Sequence, residues 1–260
     1  MHRDWIDIEV GHTTIDSLFN PEMGYVRRYG IRKSDGEMAL TKWVNNRWIK
    51  GVSLNNGLMY LTDQGNVLQT RESSHGISTE TASGETISYS YNSTYDYIPA
   101  SDNIRSITID AGTYDVGYHR ISLSSYWARP VSGSLSYRWG ELYDGHSRTL
   151  SLSNRTKFTN NLNMDLYYTY KHLDLMRGSL FANVMSGRWT YSFTTDMFAK
   201  VYIQWNDADE RVSMNILYDY IYRPKSHIYL VYNENQDTAL TGDTVTDRMF
   251  MVKATYMWNM

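Results

Sequence analysis

Cysteine is absent from the 260-residue chain, and proline occurs only 4 times. Without cysteine there are no disulfide frameworks, thiolate metal sites or cysteine nucleophiles. No stretch approaches the roughly 20 consecutive apolar residues that a membrane-spanning helix needs, and the mean hydropathy is -0.52. A helical membrane protein is therefore excluded. A transmembrane β-barrel is not, because its strands alternate lipid-facing and lumen-facing residues and average to a polar sequence.

The N-terminal stretch MHRDWIDIEVGH contains acidic residues and lacks the apolar core of a secretory signal peptide. An exported barrel requires such a signal. We therefore expect residues 1–260 to form a single β-barrel domain that is the C-terminal portion of a longer precursor. The net charge is -3, and no basic run indicates a nucleic-acid partner.

Tyrosine and tryptophan dominate the aromatic residues, with 23 Tyr and 8 Trp against 6 Phe. Both side chains join an apolar ring to a polar group, so they suit a surface that has water on one side only. The absence of cysteine and this aromatic content are typical of a bacterial envelope protein.

Apolar residues recur at every second position through most of the chain, which is the period of a β-strand. The C-terminal stretch RMFMVKATYMWNM is one example. The clearest alternation has the apolar members Val212, Met214, Ile216, Tyr218, Tyr220 and Tyr222. Each such strand has one apolar and one polar face.

Strand predictions are coarser before residue 86, where they cover residues 5–10, 38–44, 47–62 and 66–81. A hairpin turn at Asn55-Asn56-Gly57 is one possibility, since Asn-Gly favours tight turns. Further along, Tyr118 is predicted to share a face with Ile121 through a bulge near His119.

Short connections alternate with longer polar ones, such as residues 143–146, 171–178 and 233–247. This alternation predicts an up-and-down barrel with short turns at one end. The predicted fold class is thus all-β: an antiparallel up-and-down transmembrane β-barrel of about fourteen strands. It is incomplete if barrel strands lie upstream of Met1, in which case the seam between the terminal strands is its weakest point.

Aromatic residues concentrate at strand ends and aliphatic residues at mid-strand, as the two interfaces of a bilayer select. The side chains predicted to face lipid at mid-height are Leu150, Leu152, Met164, Leu166, Val201, Ile203, Met214 and Ile216. The alternative is a soluble all-β carbohydrate-binding or hydrolytic domain. In that case these residues form a core, and Tyr and Trp are platforms for sugars.

Four stretches carry a family resemblance: FNPEMGYVRRYGIRK (19–33), SGSLSYRWGELYDG (132–145), YSFTTDMFAKVYIQWN (191–206) and YIYRPKSHIYLVYNE (220–234). They resemble C-terminal outer-membrane β-barrel domains of unknown function that follow a family-9-like carbohydrate-binding module in bacterial envelope proteins. The likeness covers nearly the whole chain, although that module is missing here. It implies a bacterial outer-membrane location, contact with outer-membrane lipid, and anchoring or transport linked to glycan binding or uptake.

Residues with catalytic or metal-binding potential are scattered along the sequence. Asp207, Asp209 and Glu210 lack the glycine and spacing of a calcium loop, and the histidines show no ligand spacing. No nucleophile elbow of the form G-x-S-x-G occurs, although a Ser-His hydrolase whose members meet only in space stays open. The sequence therefore predicts no catalytic residue, metal or cofactor that can be named.

Basic residues cluster once, in the segment 13–36, which is too long for a turn. One interpretation is a loop that folds into or caps the lumen and offers cations to anionic or sugar ligands. The other is an exposed loop whose cations meet lipopolysaccharide phosphates or solvent. The candidate binding residues are Arg27, Arg28, Arg32 and Lys33.

Overall fold

The computed structural model describes residues 5–22, 26, 28–239 and 244–258. All regular structure in these residues is β-strand. No helix within these ranges has the length and apolar character needed to cross a membrane. The strand bounds are β1 Ile6–Ile15, β2 Ile31–Trp43, β3 Ile49–Asp63, β4 Leu68–Thr81, β5 Thr86–Ile98, β6 Asp102–Ile104, β7 Ile107–Ile109, β8 Gly112–Ser124, β9 Val131–Leu142, β10 Gly145–Lys157, β11 Leu162–Leu175, β12 Gly178–Thr194, β13 Met197–Asn206, β14 Arg211–Arg223, β15 Ser226–Asp237 and β16 Thr244–Ala254.

Fourteen strands form one sheet in the order β1-β2-β3-β4-β5-β8-β9-β10-β11-β12-β13-β14-β15-β16. The remaining two, β6 and β7, pair with each other. Chain order is therefore spatial order in the large sheet, and the predicted all-β, antiparallel, up-and-down fold of about fourteen strands is confirmed.

The chain divides into two compact units. The first unit consists of Met1–Leu123, Ser136–Arg148 and Leu173–Leu180. The second unit consists of Ser124–Leu135, Thr149–His172 and Phe181–Met260. The prediction of one domain over residues 1–260 stays a prediction.

In the first unit, alternation gives β1–β5 an apolar and a polar face. Residues paired directly across an antiparallel ladder project to the same side of a sheet. The apolar face includes Ile6, Ile8, Val10, Met38, Leu40, Leu54, Leu58, Ile77 and Tyr89. The polar face includes Asp7, Glu9, Asp35, Glu37, Ser74, Glu72, Asn92 and Asp96.

The predicted hairpin turn at Asn55-Asn56-Gly57 is wrong. These three residues lie in the middle of β3 and pair with Ala39, Met38 and Glu37 of β2. They also pair with β4 on their other side. Pairing on both edges keeps the backbone extended and overrides the local turn preference of Asn-Gly.

The predicted face of Tyr118 is also wrong. Its ring lies 5.2 Å from the guanidinium of Arg138, and it lines a polar-face cavity with Glu37 and Glu72. The next residue, His119, points the other way and is 2.8 Å from the hydroxyl of Tyr89 on the apolar face. Ordinary alternation thus places the tyrosine among charged groups, which its phenol tolerates.

The predicted polar loops at 143–146 and 171–178 are shorter in the structure. Only Tyr143 and Asp144 separate β9 from β10, and only Met176 and Arg177 separate β11 from β12. The polar residues on either side belong to the strands, where backbone pairing extends them further than the sequence pattern suggests.

In the second unit, the same alternation runs through β12–β16. One mid-strand row of the apolar face, from β13 to β16, joins Val201, Ile216, Tyr232 and Phe250. The next row begins with Ile203 and Met214 and continues with Glu234 and Arg248, which form an ion pair at 2.8 Å. Four of the eight side chains predicted to share a lipid-facing surface therefore lie on one face, in adjacent rows.

Register shifts lie close to strand ends in the pairings of β1–β5 and β12–β16. They occur at Ser192/Thr194, Ile221/Arg223 and Asn235/Gln236 in the second unit. In the first unit they occur at Ile49/Gly51 and Leu61/Thr62. The pairing between these points is continuous, so each mid-strand side chain has a defined face.

Buried apolar side chains are few. Among the described residues they are Leu61, Ile107, Ile109, Leu173 and Leu175. All five belong to the first unit, and four of them lie in β7 or at the end of β11. The apolar faces of the long strands therefore do not form an interior core.

Candidate functional site

The candidate binding residue Arg28 reaches the polar face of the first unit. Its guanidinium donates a hydrogen bond to Thr70 Oγ1 at 3.1 Å and lies 3.9 Å from a carboxylate oxygen of Asp96. Thr70 in turn donates to Asp96 at 2.8 Å. These contacts tie the connection between β1 and β2 to the polar face of β4 and β5. Arg27 lies outside the described residues.

Arg32 and Lys33 belong to β2 rather than to a loop, because residues 31–36 pair with both β1 and β3. They therefore project to opposite faces. Lys33 lies on the polar face and forms an ion pair with Asp35 at 3.0 Å. Arg32 lies on the other face and donates to Asn66 Oδ1 at 2.7 Å. The structure thus separates Arg32 from the other described members of the cluster.

Arg28 and Lys33 line a common cavity of about 550 Å³. Its charged lining includes the carboxylates of Glu72 and Asp96, so cations and anions are matched. Its apolar lining includes Ile15, Val26, Ile31, Met59 and Leu61. The cavity has the size and the mixed polarity of a site for a small polar solute.

A second group of polar side chains lies in the first unit, at the strand ends that the β9–β10 and β11–β12 turns connect. Arg177 forms an ion pair with Asp110 at 2.7 Å, and the rings of Tyr114 and Tyr143 meet edge to face at 5.3 Å. Burial raises the pKa of the Tyr143 phenol, and nearby negative charge, including that of Asp96, adds to the rise. The Tyr143 phenol therefore stays protonated to a higher pH than an exposed tyrosine.

The carboxylates of the β13–β14 turn accept hydrogen bonds from residues of β12 and β13. Asp207 accepts hydrogen bonds from the backbone and the side chain of Asn183. Asp209 accepts one from Asn206 at 2.5 Å. Among the described residues, no three His, Asp or Glu side chains are arranged to hold a metal ion.

The polar face of the second unit carries charges that the sequence analysis did not single out. Arg188 lies over the ring of Tyr202 at 5.7 Å, and the ammonium of Lys200 lies over Phe198 at 4.8 Å. Alternation identifies the face of each residue, and their proximity follows from the β12–β13 register, which the two-residue turn between these strands sets.

No protein-family model matches the chain, and neither does any curated protein sequence. Among solved structures, a mutant ferric enterobactin receptor from Pseudomonas aeruginosa is similar over 90% of this chain, at 8% identity and a TM-score of 0.49. The chain spans 48% of that receptor's length. A mutant of the Rh. blastica porin is similar over 95% of this chain and 100% of the porin, at 11% identity and a TM-score of 0.28. Likeness at this level carries no information about ligand or activity.

Proposed function

We propose that this chain is a bacterial outer-membrane β-barrel protein whose apolar face contacts lipid. The observation that carries the proposal is the exposure of that face. Val10 is 80% exposed, Ile8 60% and Phe250 67%. Monomeric soluble proteins rarely expose continuous apolar surface on this scale, whereas a barrel in a bilayer requires it.

The total surface supports the same proposal. A compact soluble protein of this mass exposes about 11,800 Å². This chain of 30.3 kDa exposes 17545 Å². The excess is what a sheet without an apolar interior requires. In a bilayer, the apolar part of this surface is covered by lipid rather than by water.

A soluble carbohydrate-binding or hydrolytic domain is the competing function. It needs the apolar faces packed into a core of close-packed side chains. Among the described residues, apolar burial is confined to the five side chains of the first unit named above. This scarcity of core speaks against the soluble alternative and supports the membrane protein.

The molecular activity we propose is anchoring or transport linked to glycan binding or uptake. The resemblance to barrels that follow a carbohydrate-binding module motivates the glycan. The cavity lined by Arg28 and Lys33 supports a polar ligand on the polar face of the first unit. Outer-membrane lipid is the proposed partner of the apolar face.

Extraction and gel mobility test the proposal. The chain is expressed with an export signal, and outer membranes are treated with carbonate and then with detergent. We expect the protein to need detergent for extraction. We also expect it to migrate differently on gels before and after boiling, because a folded transmembrane β-barrel resists unfolding by detergent until it is heated. Extraction by carbonate alone, with one mobility before and after boiling, would contradict it.

A further inference from the structure

Two cations of the second unit, Arg188 and Lys200, lie on its polar face and contact aromatic rings. Arg188 pairs with Tyr202, and Lys200 pairs with Thr190, across the β12–β13 ladder. The two cations are therefore diagonal neighbours on the polar face, with Cβ atoms about 7 Å apart. Within the part of the chain that the structure describes, neither forms an ion pair.

Two acidic side chains near the cations have other partners. Asp165 pairs with Arg155 at 2.8 Å. Asp219, which is opposite Phe198 in the ladder, is buried and lies 2.9 Å from the ring nitrogen of His227. Arg188 and Lys200 therefore keep their positive charge, and as diagonal neighbours they repel each other.

Aromatic rings hold the two cations without neutralising them. The guanidinium of Arg188 lies over Tyr202, and the ammonium of Lys200 lies over Phe198. A ring face attracts a cation electrostatically but accepts no conventional hydrogen bond from it. The N–H groups of both side chains are thus positioned and remain available to an oxyanion.

Amide and hydroxyl groups continue the polar face beside the cations. Tyr202 donates to Gln204 at 2.9 Å, and Ser213 donates to Asn235 at 2.7 Å. Asn215, which is opposite Tyr202, donates to Asn233. Such groups both donate and accept, which is the chemistry that binds sugar hydroxyls.

We propose that Arg188 and Lys200 bind the carboxylate of an acidic saccharide, whose hydroxyls meet the neighbouring amides. The positive pair supplies the anion specificity, and the amides and hydroxyls supply recognition of a polyol. This inference rests on the proposed function, because it needs the polar face to be reachable from water. It extends that function from glycans in general to acidic glycans.

Calorimetric titration of the full chain, folded in detergent, with trigalacturonate tests the site. We expect saturable binding that Arg188→Gln and Lys200→Gln each weaken about tenfold or more, since each removes one charge-assisted contact. Arg188→Lys should bind with intermediate affinity, because it keeps the charge but loses the guanidinium fork. Lys157→Gln, at the end of β10, removes the same charge elsewhere and should leave the affinity unchanged. Heat-dependent gel mobility verifies that each variant is folded.

Several outcomes would overturn the site. They are equal affinity in the parent and both Gln variants, an equal loss in Lys157→Gln, and equally tight binding of neutral maltotriose. Displacement of trigalacturonate by inorganic phosphate at equal concentration would identify an unspecific anion site and also overturn the proposal. If the chain needs detergent but does not bind trigalacturonate, only the proposed saccharide site is overturned. A chain that is soluble without detergent contradicts the proposed function itself.

Discussion

The apolar faces of the two units differ at mid-strand. In the first unit, one row contains Asn56 and His75, which are directly paired and hydrogen-bonded to each other at 2.9 Å. In the second unit, the row from Val201 to Phe250 contains only apolar and aromatic residues, and the next row contains Glu234 and Arg248, which form an ion pair at 2.8 Å. An apolar face therefore accommodates polar side chains where they satisfy each other, because an unpaired polar group in an apolar environment costs several kcal/mol.

The polar faces differ as well. In the first unit, Glu9 is directly opposite Glu37, and the cations Arg28 and Lys33 each lie beside a carboxylate. In the second unit, Arg155 also pairs with Asp165, but Arg188 lies over an aromatic ring. Alternation fixes which residues share a face, whereas the sign of the local charge depends on the register.

The largest expected effect concerns the apolar face of the second unit. Leu152→Arg and Ile216→Arg should each lower the free energy of unfolding from a bilayer by about 2–4 kcal/mol, since each places a charge in hydrocarbon. The matched variants Ser153→Arg and Asn215→Arg place the same charge on the polar face and should be tolerated. Denaturant titration in lipid vesicles measures all four. Equal penalties on both faces would contradict the assigned orientation.

Close backbone approach is common to both units and can be tested at glycines. A Cβ on Gly145 would lie 2.0 Å from the carbonyl oxygen of Asp174, and one on Gly133 would lie 2.4 Å from that of Ser153. We expect Gly145→Ala and Gly133→Ala each to cost about 1–3 kcal/mol, because backbone atoms must shift.

The control for these glycines is Gly112, where a Cβ would meet no atom within 4 Å. Gly112→Ala should change the unfolding midpoint little. If all three alanine variants unfold at the same denaturant concentration, the close approach of the strands is not the reason for glycine at positions 133 and 145.

A smaller effect tests the polar pair of the first unit. Asn56→Leu alone leaves His75 without its partner and should cost about 1–3 kcal/mol. The double variant Asn56→Leu/His75→Leu removes both polar groups and should recover most of this loss, as measured in a double-mutant cycle in vesicles. A double variant less stable than either single variant would indicate that something other than lipid covers this face.

The smallest expected effect is a dependence of folding stability on alkaline pH, through Tyr143 in the β9–β10 turn. Because the folded state raises the pKa of Tyr143 above its ordinary value of 10.0, its contribution to stability is fully present below the unfolded pKa. The contribution is lost as pH rises through the folded pKa. We expect Tyr143→Phe to flatten this part of the stability profile above about pH 10. An unchanged profile would contradict the assignment.

Strand alternation allowed the fold class, strand number and many side-chain faces to be predicted from sequence. The alternation in β14 specifies the common face of Met214 and Ile216, which the structure confirms. The prediction of a turn at Asn55-Asn56-Gly57 was wrong, because strand pairing on both sides overrides the local turn preference of Asn-Gly. The basic cluster could be recognised from sequence, yet its division between faces required the true start of β2.

Register shifts confined to strand ends determine where the gene tolerates a change in length. One residue inserted at Ile221/Arg223, where the ladder already shifts, enlarges an existing irregularity. One residue inserted at Ile216 exchanges the apolar and polar faces for every side chain between that point and the next turn. Related chains should therefore vary in length at strand ends and turns, while strand centres change by substitution alone.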